Sequence, residues 1–267
     1  MIEFTDDLRQ TYVIIKHELS KILKGKIALA SFSILLVLII FMFILNYAVV
    51  VDYSFDIKTY LDTASMFFTP AIVIITTLVA SGMFSSEYET HTGLLMFTKP
   101  IRRGSIFAGK VLASLSFTIL IVIVYYGMLS LVTLAYTGEL SSLILSVMGI
   151  MITYAVGVTG ITLLLSSIFK KTSISAAASL VLLLAIGQII SFNYQSMNAD
   201  LWFSMAYSSK SINTLLYDVS GYAIDGFPTA EFAGAAYADP ITSVLVMLTW
   251  GAFSILYSYA FFSKREF

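Results

Sequence analysis

Polar and apolar residues alternate along this chain in blocks too long for a soluble fold. Six windows, residues 27–51, 63–86, 111–138, 140–169, 172–199 and 240–263, contain no Asp, Glu, Lys, Arg or His, and they are 25, 24, 28, 30, 28 and 24 residues long. A helix needs about 20 apolar residues to cross the ~30 Å hydrocarbon core of a bilayer, so each window suffices for one crossing. The first window holds seventeen Leu, Ile, Val and Phe residues. Each favours insertion by roughly 0.3–0.6 kcal/mol, against a cost of about 2.5–3.5 kcal/mol for a single charge. The pattern predicts six transmembrane helices in an all-α, polytopic membrane fold.

A different periodicity precedes the first crossing. At 100° per residue Leu8, Tyr12, Ile15, Leu19 and Ile22 fall in one stripe, while Arg9, Lys16, His17, Lys21 and Lys24 project elsewhere and Val13 and Ile14 lie off the stripe. Residues 1–26 are therefore expected to form an N-terminal amphipathic elbow helix lying along the headgroups, its lysines meeting anionic lipid. Gly25 permits the turn into the first crossing. Two roles stay open for it: a plain anchor, or an elbow that moves with its spanning helix. The first apolar run is longer than the ~7–15 residues of a cleaved signal and begins only at Ile27, so this helix is expected to stay.

Composition agrees with the pattern. With 58% hydrophobic and 12% charged residues, the chain lacks the polar surface that water would demand. It has no cysteine, which excludes disulfides, thiolate catalysis and Cys-ligated metals. Charge then sets the orientation. Of fifteen Lys and Arg residues, thirteen fall on the side of the termini, and the opposite face keeps only Lys58 and Lys210. By the positive-inside rule both termini are cytoplasmic, in a multi-pass protein of the cytoplasmic (cell) membrane. Nothing basic enough to suggest nucleic acid is present.

The connections differ in size. Residues 138–140 predict a tight outer hairpin, and Lys170 with Lys171 a short inner one. Two connections are long: residues 193–239 outside and 87–110 in the cytosol. No internal repeat divides the chain, so residues 1–267 are read as a single domain. In the outer segment Trp202, Phe203, Met205, Tyr207, Ile212, Leu215, Leu216 and Tyr217 suggest short helices at the outer interface, as a structural cap in preference to a substrate-recognition element.

The cytosolic segment 87–110 has the chemistry of a docking surface. Glu87 and Glu89 prolong the second helix beyond the lipid, Leu94, Leu95, Met96 and Phe97 cluster after Thr90 and Thr92, and Pro100 breaks the stretch before Arg102, Arg103 and Lys110 lead back. A short apolar helix rimmed by charge suits a groove on a soluble partner. Residues 104–111, GSIFAGKV, imitate a phosphate-binding loop, but Val111 stands where a magnesium-ligating hydroxyl is required and no strand precedes it. No nucleotide is therefore expected at this stretch, and this chain is expected to have no catalytic group and no bound cofactor.

Inside the windows there is no ionisable residue, which argues against a proton-driven carrier. Sodium coupling through hydroxyls, amides and backbone carbonyls stays open. His17 and His91 give no zinc-ligand spacing, so no metal is expected. Sparse polar side chains, Asn46, Thr76, Thr77, Gln188 and Ser191, are candidates to line a path between two protomers. Gly157 with Gly160, and Ser175 with Ser179, suit close helix approach instead.

At residues 87–110 the chain resembles the permease subunits of type-2 ATP-binding-cassette (ABC-2) transporters, whose pattern here is a glutamate, a Gly-Thr-Leu-like stretch, a Pro-Ile-Ser-Arg-like turn and a Gly-Lys pair. The similarity lies at Glu87, Glu89, Thr90, Thr92, Leu95, Lys99, Pro100, Ile101, Arg103, Gly109 and Lys110, with departures at His91, Gly93 and Leu94. It continues at Lys16, Glu18, Leu19 and Lys21 and at Phe262, Lys264, Arg265 and Glu266. The resemblance implies a permease, an exporter more than an importer, working with a second permease copy as a homodimer or heterodimer. It also implies two separate ABC ATPase subunits that hold ATP and Mg. Glu87, Glu89, Thr90, Thr92, Leu94, Leu95, Pro100, Arg102 and Arg103 would couple to the ATPase. The alternatives are a scaffold or mechanotransmitter of the same architecture that moves no solute, and a sodium-coupled carrier or channel.

Overall fold

In the computed structural model, which describes residues 2–52, 56–89, 102–186, 203–209, 211–216 and 239–264, the charge-free windows become helices and no strand occurs among the described residues. The elbow, α1 (Ile2–Lys24), turns at Gly25 into α2 (Lys26–Asp52). A Cβ on Gly25 would stand 2.9 Å from the Lys21 carbonyl oxygen, so the turn needs glycine. α3 (Ile57–Ala80) starts on Asp56, whose carboxylate accepts from the backbone N–H groups of Lys58 and Thr59, each at 3.2 Å. It is followed by α4 (Gly82–Glu89). α5 (Arg103–Thr137) ends on Gly138 at φ +75°, and Ser141 caps α6 (Ser142–Ile168), which makes the expected tight hairpin. α7 (Thr172–Leu180) continues as a π-helical stretch, Val181–Ile186. Two short helices, α8 (Met205–Ser208) and α9 (Ser211–Leu216), precede α10 (Pro240–Lys264).

Five of these runs are long and apolar enough to cross a membrane, with α3 and α4 counted as one, and the fifth expected crossing is described only as the shorter apolar helix 172–185. The rest of that window lies outside the described residues. α6 is central: it packs most closely against α10 and also meets α3 and α5. The α6–α10 approach is set by glycine. A Cβ on Gly160 would lie 2.8 Å from the Gly251 carbonyl oxygen, and one on Gly157 would lie 2.9 Å from that of Met247. Small residues permit this proximity where lipid offers no hydrophobic drive to associate. By contrast α2 exposes Leu29, Leu36, Val37 and Ile44, an apolar surface suited to lipid tails.

The described pieces of the outer segment pack against the bundle through Met205, Ile212 and Leu216. Met205 is buried, and its Cε would be 2.5 Å from a Cβ on Gly157. Gly157 lies fifteen residues into α6, roughly 22 Å along its axis from the hairpin end. The indole N–H of Trp250 donates to the Phe203 carbonyl at 2.8 Å, and Ile212 and Leu216 are in the core. The room left by a glycine and a carbonyl needing a donor draw this segment into the bundle.

Candidate coupling site

The site lies at the end of the bundle where α1 crosses the start of α5. α5 carries Gly109, at which a Cβ would come within 2.6 Å of Ile14 Cγ2, so the elbow sits directly on α5. Asp7, Thr11, Ile14, Glu18 and Ile22 form that contact face, roughly a quarter turn from the Leu8–Tyr12 stripe at 100° per residue. Leu8 and Tyr12 stay exposed. Ile14 falls off the lipid stripe because it belongs to the protein-facing side.

One turn into that contact Lys110 is buried, and its ammonium meets three acceptors: Glu18 Oε1 at 3.0 Å, Glu87 Oε1 at 2.9 Å and the Met83 carbonyl at 3.0 Å. An ammonium has three N–H donors, so its capacity is matched by the elbow and by α4 together. Lys21, 3.7 Å from the other Glu18 oxygen, adds a second positive charge. Burial pushes the Glu18 carboxyl up, but Lys110 and Lys21 more than reverse this and hold it below its ordinary 4.5. A buried ion pair adds little net stability, because desolvation offsets attraction. What it does fix is geometry: α1, α4 and α5 share one set of hydrogen bonds.

The remaining expected coupling residues divide into two groups. Glu89 is exposed and accepts from the Thr172 N–H at 3.1 Å. It thereby serves the start of α7, whose own N-cap residue Lys171 makes no side-chain cap bond. Arg102 pairs with Asp7 of the elbow at 2.6 Å, and Arg103 donates to the Ser263 carbonyl of α10 at 3.1 Å. Thr90, Thr92, Leu94, Leu95 and Pro100 lie outside the described residues. An aromatic patch joins the same elements, with Phe84 stacked on Phe107 at 5.3 Å and both close to Phe262.

Of the residues expected to line a path, Thr76 and Thr77 are buried inside the protomer, and Thr76 donates back to the Ile72 and Val73 carbonyls of its own helix. The side chain of Asn46, and Gln188 and Ser191 altogether, lie outside the described residues. Among the described residues no three metal-ligating side chains come together. Sequence reasoning placed Lys110 among the basic residues of segment 87–110 and Glu18 among the points of resemblance, and missed their pairing. The available signal was a lysine standing next to a charge-free window. It missed Ser166 as well, a buried hydroxyl of α6 bonded to α4, for which the sequence offers no signal.

A family described as "ABC-2 family transporter protein" matches residues 12–267, a stretch that takes in the second half of the elbow, the Lys110 cluster and α10. No curated protein matches the chain.

Proposed function

The chain belongs to the ABC-2 transporter family, and from that premise we propose that it is the membrane permease of an exporter driven by two separate ATPase subunits docking on its segment 87–110. A permease of this kind is a transport component that associates with ABC ATPases. ATP and Mg are held by those partners, and a second permease copy completes the translocation unit, with both termini in the cytoplasm of the cell that bears it. The observation that carries the reading is the Lys110 cluster. The docking segment leaves the bundle from α4, and α4 is tied through Lys110 to the elbow and to α5. A push on segment 90–101 reaches two other helices through short, directional bonds instead of dissipating in loose packing.

Glu87 takes a particular part in this reading. Its carboxylate faces Lys110, so it transmits the position of α4 and leaves direct contact with the ATPase to Glu89 and the apolar residues Leu94 and Leu95. The test is gentle purification from native membranes followed by reconstitution. The expected result is a co-purifying ATPase, no ATP hydrolysis by the permease alone, and ATP-dependent solute flux in vesicles. A native assembly without an ATPase overturns the reading; an ATPase-bound assembly that moves no solute replaces it with the mechanotransmitter.

A further inference from the structure

An unbroken helix from Ile57 to Glu89 would bond the Ser85 N–H to the Ser81 carbonyl. Here α3 gives way to α4 at Ser81–Gly82, and the Ser166 hydroxyl of α6 stands in the gap. It donates to the Ser81 carbonyl at 2.7 Å and accepts from the Phe84 N–H at 3.1 Å and the Ser85 N–H at 3.2 Å. A hydroxyl has one donor and two acceptor sites, so Ser166 is fully used. A side chain inserted into the helical ladder is one of the few physical causes of a helix bend.

Neither strain nor crowding accounts for the break. Ser81 is in ordinary helical conformation, at φ −62° and ψ −31°. A Cβ on Gly82 would meet only Thr172 Cγ2, at an ordinary 3.5 Å. Glycine is therefore not needed there for space, and what it contributes is backbone freedom. Below the break α4 is held by core packing of Met83 and Phe84, the latter against Phe107 and Phe262, and by directional bonds: Lys110 on the Met83 carbonyl and on Glu87, and the Thr172 N–H on Glu89.

We propose that Ser166 is a positioning residue, the fulcrum of a hinge at Ser81–Gly82 that sets the angle of α4 and so couples the docking segment to the central helix α6. The role rests on the docking reading above. Two hydrogen-bond arrangements are open to it. In the observed form Ser166 bridges the ladder as described. In the straight form the Ser85 N–H returns to the Ser81 carbonyl, and the Ser166 hydroxyl turns to the carbonyl one turn back on its own helix, as serine does in helices. Each form gives the Ser85 N–H and the Ser166 hydroxyl a partner, so the hinge exchanges one set of directional bonds for another.

The chain has no cysteine, so a pair of spin labels at Ser86→Cys and Leu140→Cys reports the angle of α4 in lipid nanodiscs without background. Ser166→Ala is expected to displace the main distance peak, and Ser166→Thr, which keeps the hydroxyl, to restore it. In the ATPase-bound complex Ser166→Ala is expected to lower ATP-driven flux several-fold with the ATPase still bound in wild-type amount. Gly82→Ala, which adds a methyl into ordinary contact, is expected to lower flux in the same direction while Ser166 keeps its bonds. An unchanged distance peak in Ser166→Ala overturns the hinge; unchanged flux in a correctly assembled Ser166→Ala complex overturns its coupling role. If the wild-type chain binds no ATPase, the docking reading and the coupling role fall together, and the label distances still decide the hinge.

Discussion

From Tyr60 to Ala80 the second crossing is held by apolar and aromatic side chains, whereas from Met83 to Glu89 the packing of Met83 and Phe84 is joined by directional bonds from polar atoms of other helices. In the upper part Phe68 stacks on Tyr125 at 4.1 Å and meets Tyr126 edge-on at 5.8 Å. The two tyrosine hydroxyls reach the Ala64 carbonyl and Ser65 Oγ, each at 3.1 Å. In the lower part Lys110, Ser166 and Thr172 each bond a named backbone or carboxylate atom. Dispersion contacts are numerous, small and weakly directional, so an aromatic pack resists displacement as a whole. Hydrogen bonds and ion pairs are few and directional, and can be exchanged one at a time. One helix can thus be a rigid element within the bundle and a movable one where it leaves.

The largest test of this contrast is Lys110→Met, which leaves Glu87 buried without its counter-charge and Glu18 with the exposed Lys21 alone. It is expected to destabilise the protein by about 3–5 kcal/mol, read as a fall in the midpoint of thermal unfolding in detergent. Adding Glu18→Gln and Glu87→Gln is expected to recover much of the loss, because the orphaned charges are then removed. Next comes Phe68→Leu in the upper part, with an expected loss of about 1–2 kcal/mol from packing and ring stacking. Here the same Gln substitutions bring no recovery; recovery would show that the two parts are one energetic unit.

The smallest effect is that of acid. The Glu18 carboxyl is held below its ordinary 4.5 in the folded protein, so its contribution is fully present above about 4.5 and is lost as the pH falls through the lower folded value. Thermal stability is expected to stay level from neutrality to about that pH and then to drop. In Glu18→Gln the Glu18 share of the drop should be missing, and an identical acid profile in the two proteins would remove Glu18 from the account.

Much of this was legible one residue at a time. The windows around α2, α3, α5, α6 and α10, the tight hairpin at Gly138 and the turn at Gly25 all follow from local composition and backbone freedom. The site was legible only in part. Glu87 and Glu89 were marked as a pair, yet one is buried on Lys110 and the other serves Thr172, a division that depends on which neighbours α4 meets. Ile14 looked like a flaw in an amphipathic stripe because a second face of α1 packs on α5 at Gly109. Met205 read as interfacial, and nothing in its own surroundings told that Gly157 had left room for a thioether within the bundle.

By itself the sequence determined that this chain crosses a membrane many times, which ends carry the positive charge and where each helix can start and stop. Those properties depend on transfer of single residues between water and lipid and on bonds between near neighbours. The tertiary structure alone decided that residues 18, 87 and 110 share one ion-paired knot and that Ser166 enters the ladder of α4. Such contacts join atoms far apart in the chain. A lysine or serine can bond many partners equally well, and only the packing of the helices selects which it meets.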